Sequence, residues 1–174
     1  MRRLILLRHT KSDWPNGMVD RDRPLAERGR RAAPLMGRML IDRGFVPDKV
    51  LVSTAERTVE TWALASAGLI QFPPATPEPR IYEAAPHVLA NVIRETGDDV
   101  RTLLLVGHNP GIEALACNLI ADGPPDLRQR LSRKYPTGGL AVIDCAVERW
   151  TQLSAGCGTL VAFVVPRDLD PEAE

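Results

Sequence analysis

The segment RLILLRHTKS at residues 3–12 decides the fold prediction, because a run of aliphatic residues leads directly into an Arg-His pair. A continuous apolar run of this kind is typical of a strand that is covered on both faces of a parallel sheet. Two similar runs follow at residues 49–52 and 102–106. Each run is followed by polar residues, so the sequence predicts a central sheet whose strand ends carry chemically active side chains.

Amphipathic stretches separate the apolar runs and predict helices. Ser53, with Glu56 three residues later, has the spacing of a capping box, and Asn109 before Pro110 has the pattern of an N-cap. The four prolines in residues 72–79 predict irregular structure. Helices are predicted at residues 25–43, 53–67, 87–95 and 110–121, and a short strand at residues 80–82.

The C-terminal third adds two predicted strands, at residues 139–146 and 159–165, with no helix between them. Such a direct connection predicts an antiparallel edge strand. Strands alternating with helices elsewhere predict a three-layer α/β/α sandwich with a mostly parallel central sheet. A chain of 174 residues suits one core. We expect a single domain over residues 1–166 and a frayed acidic tail at 167–174.

The overall composition excludes several classes of protein. Lys and Arg number 22 and Asp and Glu also number 22, so a nucleic-acid partner is not expected. The apolar runs are too short to span a bilayer, and charged residues interrupt the first run too early for a signal peptide, so no membrane partner is expected. Three cysteines without metal spacing predict reduced thiols and a cytoplasmic location. The sequence gives no indication of the oligomeric state.

Three predicted strand ends carry cationic or titratable side chains. Arg8 and His9 follow the first strand, Arg57 lies just after the second, and His108 follows the third. One histidine at a strand end is usually structural, but the carboxyl ends of parallel strands meet at one edge of the sheet. Two arginines and two histidines together predict a phosphate site. His9 can serve as the nucleophile, and the arginines would repel a metal ion, so no metal or other cofactor is expected.

The motifs around these residues resemble a known family. LRHTKS at residues 7–12 is similar to the signature of the histidine phosphatase (phosphoglycerate-mutase-like) superfamily, which usually has Gly at the position of Thr10. Several blocks resemble its phosphohistidine phosphatase branch, and in order they extend the resemblance over most of the chain. These blocks are DRPL at 22–25, ERG at 27–29, STAERT at 53–58, ET at 60–61, VGHNPG at 106–111 and PTG at 136–138.

The resemblance implies roles for the residues at the strand ends and for Glu83, and the sequence itself offers the remaining candidates. His9 would become phosphorylated, and Arg8, Arg57 and His108 would form the phosphate pocket. The proton donor to the leaving group would be Glu83, with Asp20 and Asp22 as the alternatives. The further candidates for binding the substrate or its phosphate are Ser12, Asn109 and Thr137.

The resemblance implies that sugar-phosphate enzymes of this fold cover the pocket with inserted helices, and this sequence leaves little space for such a lid. Only 25 positions separate Glu83 from His108, and a helix and a strand occupy most of them. An open pocket favours a phosphate presented on a protein surface, so we expect a metal-independent phosphohistidine phosphatase. The alternatives are a phosphomonoesterase or mutase that acts on a small phosphoester, and a phosphate-binding module without turnover.

Overall fold

A seven-stranded sheet forms the centre of the protein, in a computed structural model that describes residues 1–173; Glu174, at the end of the expected tail, lies outside the described residues. The strands are β1 (Arg2–Arg8), β2 (Lys49–Val52), β3 (Ala75–Pro77), β4 (Thr102–Gly107), β5 (Ile120–Asp122), β6 (Leu140–Cys145) and β7 (Gly158–Val164). Their order across the sheet is β3-β2-β4-β1-β6-β7-β5.

Helices cover both faces of this sheet. They are α1 (Glu27–Asp42), α2 (Glu56–Ser66), α3 (Pro86–Arg94), α4 (Gly111–Leu119), α5 (Pro125–Arg133) and α6 (Pro166–Leu169). Alternate residues of β1 belong to different halves of the core, as the period of a strand requires. Leu4 and Leu6 pack with residues of α3, α4 and α5, whereas Ile5 and Leu7 pack with residues of α1 and α2. The predicted three-layer α/β/α sandwich is therefore confirmed.

The sheet is mostly parallel, as predicted, but its antiparallel strand lies inside it. β1 pairs in parallel with β4 and antiparallel with β6, and β6 pairs antiparallel with β7. β5 then pairs in parallel with β7 and forms the outer edge. The antiparallel strand was expected at the edge of the sheet, and this position is wrong. The edge is formed by β5, whose three residues were predicted as the end of a helix.

Proline-rich and polar segments account for the other differences. Residues 75–77 form the edge strand β3 instead of irregular structure, since an edge strand tolerates proline. The strand expected at residues 80–82 is a 3-10 helix at Pro79–Ile81. α5 was not predicted because Leu131 is its single buried residue.

The expected frayed tail begins with the short helix α6. Leu169 packs against the core cluster that contains α1, and Asp168 accepts a hydrogen bond of 2.8 Å from Arg130 of α5. Ala173 is also buried. The start of the expected tail is therefore helical and packed, up to Leu169, while the boundary between domain and tail stays a prediction. No helix in residues 1–173 is both long and apolar enough to cross a bilayer.

Candidate active site

The carboxyl ends of β1, β2 and β4 open into a cavity of about 860 Å³, which we call the central cavity. The residues predicted to act on or bind the phosphate all line this cavity. Of the two alternative proton donors, Asp20 also lines it and Asp22 does not. The structure thus brings together residues up to 129 positions apart in sequence. The lining residues predicted from the sequence are Arg8, His9, Ser12, Arg57, Glu83, His108, Asn109 and Thr137.

His9 is buried, and one of its ring nitrogens is fixed by a hydrogen bond. Its Nδ1 lies 2.7 Å from the carbonyl oxygen of Thr10, which can only accept, so we assign the proton to Nδ1. The lone pair is then on Nε2. Burial lowers the pKa of His9 to about 3, and the charges of His108, Arg8 and Arg57 act in the same direction. His9 is therefore a neutral imidazole at pH 7, the form that can act as a nucleophile.

Thr10 occupies the position at which the superfamily signature usually has Gly. It is fully buried, and its N–H donates a hydrogen bond of 3.1 Å to the hydroxyl oxygen of Thr61. The two hydroxyl groups are also 3.3 Å apart. These contacts with α2 hold the Thr10 peptide in place, so they also position the carbonyl that orients His9.

Arg57 is held by Asp20, which lies in a 3-10 helix between β1 and α1. The Arg57 guanidinium donates to the Asp20 carbonyl oxygen at 2.7 Å and to its carboxylate at 3.1 Å. Asp20 also accepts from the Tyr82 hydroxyl at 2.6 Å and from Arg23 at 3.1 Å. These bonds, that from Tyr82 foremost, lower the pKa of Asp20 to about 2. Asp20 is thus ionised at neutral pH and unsuited to donate a proton.

His108 makes a hydrogen bond that the sequence did not predict. Its Nε2 lies 2.7 Å from the hydroxyl oxygen of Ser53, which in turn accepts from the N–H of Ala55 at 3.4 Å. The Ser53 hydroxyl can donate to Nε2 while its oxygen accepts from Ala55, and we assign this arrangement, in which the His108 proton lies on Nδ1. The expected capping box is wrong, because α2 has Ala55 at its N-cap and Ser53 faces His108 instead.

Three nitrogens of the predicted phosphate pocket are buried and lack a hydrogen-bond partner within residues 1–173. They are Nε of Arg8, Nε of Arg57 and Nδ1 of His108. An unsatisfied buried donor typically costs about 1–3 kcal/mol. The three side chains that carry these nitrogens line the central cavity. Burial, together with the charges of Arg57 and Arg8, lowers the pKa of His108 to about 4, so His108 is a neutral imidazole at pH 7.

Replacing Ser53 with Ala is expected to reduce kcat about tenfold and to lower the melting temperature by a few degrees, because His108 Nε2 loses its partner inside the protein. The variant loses the hydroxyl that holds His108 Nε2, so the ring can rotate or change tautomer, and one typical hydrogen bond corresponds to roughly that factor. Steady-state rates and thermal unfolding measure the two quantities. Ser53→Thr, which keeps the hydroxyl, serves as the matched control. An Ala variant with unchanged kcat would contradict the assignment.

The remaining predicted residues take different places in the central cavity. Asn109 was predicted as the N-cap of α4, but Pro110 takes that position. The side-chain amide of Asn109 instead donates hydrogen bonds of 3.0 Å to the Glu113 carboxylate and to the Tyr135 carbonyl oxygen. Glu83 is exposed and has a φ of 54°, the single positive value among described residues other than glycine. Such backbone strain is often found at functional sites.

The two hydroxyl groups suggested for phosphate binding also lie at the wall of the central cavity. Ser12 accepts a hydrogen bond of 2.8 Å from Arg23, and Thr137 lies in the loop before β6. Within residues 1–173, no three His, Cys, Asp or Glu side chains are grouped so that they could hold a metal ion.

Comparisons with known proteins agree with this arrangement. The family model of the histidine phosphatase superfamily (branch 1) matches residues 4–86. An uncharacterized protein of Mycobacterium tuberculosis is 44% identical over 163 residues, which cover 92% of this chain and 100% of that protein. An uncharacterized protein of Mycobacterium leprae is 42% identical over 166 residues, again covering 92% of this chain and 100% of the relative.

Two solved structures are similar over nearly their whole length. The candidate phosphohistidine phosphatase SixA of Nakamurella multipartitia has a TM-score of 0.81 and 28% identity, covering 95% of this chain and 96% of that one. The corresponding SixA of Agrobacterium tumefaciens has a TM-score of 0.79 and 30% identity, covering 95% and 98%.

The sandwich, with histidines at the carboxyl ends of β1 and β4, is a phosphoglycerate-mutase-like α/β fold. The chain belongs to the histidine phosphatase superfamily, and the predicted resemblance to its phosphohistidine phosphatase branch is confirmed. Together these findings support a phosphatase, and therefore a hydrolase.

Proposed function

We propose that the protein is a metal-independent phosphohistidine phosphatase that acts through a phosphorylated His9. The observation that carries this proposal is the state of His9, a neutral imidazole with its proton fixed on Nδ1 at the wall of a cavity shared with Arg8, Arg57 and His108. The two guanidinium groups supply the positive charge that a metal ion supplies in other phosphoryl-transfer sites.

The first step transfers the phosphoryl group to the enzyme. Nε2 of His9 attacks phosphorus, and the P–N bond to the imidazole of the substrate breaks in line with the new P–N bond. Arg8, Arg57 and His108, which all line the central cavity, donate to the equatorial oxygens. Removing one such donor typically lowers the rate by about 10²–10³-fold.

The second step returns the enzyme to its starting form. A water molecule attacks the phosphorus of phospho-His9, the P–N bond breaks, inorganic phosphate leaves and His9 Nε2 regains its lone pair. Glu83 is the acid and base favoured among the three carboxylates considered, because Asp20 is ionised by its partners and Asp22 lies outside the central cavity. The imidazole of a histidine leaving group takes up a proton near neutral pH. It therefore needs less assistance from a general acid than an alkoxide leaving group does.

The choice of phosphohistidine is supported by the open side of the cavity and by the relatives. Lys11, Trp14 and Glu83, three of its lining residues, are exposed, as expected where a protein surface must approach. Two similar solved structures bear the name of a candidate phosphohistidine phosphatase. Phosphohistidine in a protein is therefore the proposed substrate, and inorganic phosphate the product.

A substrate panel tests the proposal. We expect the purified protein to hydrolyse a phosphohistidine-containing peptide and phosphoramidate over many turnovers, with unchanged rates in excess EDTA. Matched reactions contain sugar phosphates and nucleotides, and kcat/KM is compared across the panel. A higher kcat/KM on a small ester would replace the substrate assignment, loss of activity with EDTA would exclude the metal-independent mechanism, and binding without turnover would exclude an enzyme.

A further inference from the structure

A second cavity, of about 450 Å³, adjoins the central cavity and is lined almost entirely by cations; we call it the basic cavity. It shares Arg8, Lys11 and Thr137 with the central cavity, so the two cavities are direct neighbours. No carboxylate lines it among the described residues. Its lining consists of Arg8, Lys11, Arg28, Lys134, Pro136, Thr137 and Arg167.

The cations of the basic cavity have no carboxylate partners among the described residues. Within residues 1–173, none of the side chains of Lys11, Arg28, Lys134 and Arg167 lies within 4.0 Å of a carboxylate oxygen. The chain as a whole has equal numbers of acidic and basic residues, so this local excess does not reflect a basic composition. Like charges gathered in one concave site repel one another, and a bound anion relieves that repulsion.

Close backbone packing fixes the segments that carry these cations. A Cβ atom at Gly29 would lie 2.1 Å from the carbonyl oxygen of Lys11, so α1 packs directly on the loop after β1 and holds Arg28 beside it. The N–H of Gly138 donates to the carbonyl oxygen of His9 at 2.9 Å, which ties the loop before β6 to the end of β1.

The C-terminal helix brings the last cation into this frame. A Cβ atom at Gly138 would lie 2.6 Å from Cγ of Pro166, so α6 starts in contact with the same loop. The ion pair of 2.8 Å between Arg130 and Asp168 anchors α6 to α5. Arg167, between these two anchored positions, lines the basic cavity.

We propose that the basic cavity binds a second anionic group of the substrate, a carboxylate or a phosphate, while the transferred phosphoryl group lies at His9. This inference rests on the proposed function and adds the substrate class to it. That class is phosphohistidine flanked by acidic residues, or a small molecule with two phosphates. Arg28 and Arg167 determine this specificity without touching the reacting atoms.

The test compares phosphohistidine peptides flanked by Asp and Glu or by Asn and Gln, with phosphoramidate as a substrate that has no second anionic group. The wild-type protein is expected to prefer the acidic peptide about tenfold in kcat/KM, the factor for one or two charge-assisted contacts. The double variant Arg28→Gln, Arg167→Gln is expected to lose this preference through KM and to hydrolyse phosphoramidate at the wild-type rate.

The matched control removes the same charge elsewhere. Arg31→Gln with Arg149→Gln changes two exposed arginines outside both cavities and is expected to keep the preference. Equal rates on the two peptides together with no preference for fructose 1,6-bisphosphate over fructose 6-phosphate, or an equal loss in the control, would overturn the inference. Turnover of phosphoramidate would leave the proposed function intact in that case. Absence of turnover on every P–N substrate would contradict the proposed function instead.

A third arm distinguishes the sources of the second anionic group. Fructose 1,6-bisphosphate is compared with fructose 6-phosphate in the wild-type protein and in the Arg28→Gln, Arg167→Gln variant. A preference for the bisphosphate that exceeds the peptide preference and disappears in the variant would support the second anion site and assign it to a small molecule. A bisphosphate preference that persists in the variant would count against the basic cavity.

Discussion

The variant His9→Asn is expected to lose turnover by on the order of 10⁴–10⁶-fold, the range found when an enzyme loses its nucleophile. The amide of Asn can still donate to the Thr10 carbonyl oxygen, the partner of His9 Nδ1 at 2.7 Å, but it has no nitrogen lone pair to replace Nε2. The substitution therefore separates the nucleophile from the hydrogen bond that holds it. Initial rates on phosphoramidate measure the loss.

The same variant is expected to form no phosphoenzyme. Wild-type protein incubated with a radiolabelled substrate and quenched at neutral pH should retain label that is released by acid, as a phosphorus–nitrogen bond requires. His87→Asn is the control, because His87 is exposed on α3 and does not line the central cavity. Acid-labile label on His9→Asn in the wild-type amount would eliminate His9 as the nucleophile, even if the protein remained active.

The sheet and the candidate site were predictable from the sequence for one physical reason. A strand that is buried on both faces is apolar along its length. The runs that form β1, β2 and β4 can therefore be recognised as strands from the sequence alone. The parallel arrangement then brings the residues after each run to one edge. Arg8, His9 and His108 could be placed together on that basis alone.

Ser53 shows where this reasoning ends. Its spacing from Glu56 is the same whether its hydroxyl caps α2 or bonds to a residue 55 positions away, because a local pattern carries no information on distant partners. The contacts of Asp20 with Arg57 and Tyr82 were missed for the same reason.

Short elements were the other source of error. β3, β5 and α6 have three or four residues each, too few for a period of two or 3.6 to emerge, and they form because the sheet and the core offer them partners. Arg167 illustrates the consequence. An acidic, proline-containing end predicted a frayed tail, whereas packing of Leu169 places Arg167 in the basic cavity.

The buried histidines also predict how the stability of the protein depends on pH. The pKa values of His9 and His108 are about 3 and about 4 in the folded protein, against an ordinary value of 6.5. Between these values the unfolded chain binds more protons than the native state, so the free energy of unfolding falls as the pH decreases below 6.5. Asp20 contributes only at lower pH, since its pKa moves from 3.8 to about 2.

We therefore expect the free energy of unfolding to be on the order of 4 kcal/mol lower at pH 5 than at pH 7.5, because each histidine contributes about 1.4 kcal/mol per pH unit between pH 6.5 and pH 5. Urea titrations at the two pH values measure the difference. The double variant His9→Asn, His108→Asn should lose most of it, whereas His87→Asn should retain all of it. An unchanged difference in the double variant would mean that the histidines at the wall of the central cavity are not held neutral by burial, and the nucleophilic state assigned to His9 would lose its basis.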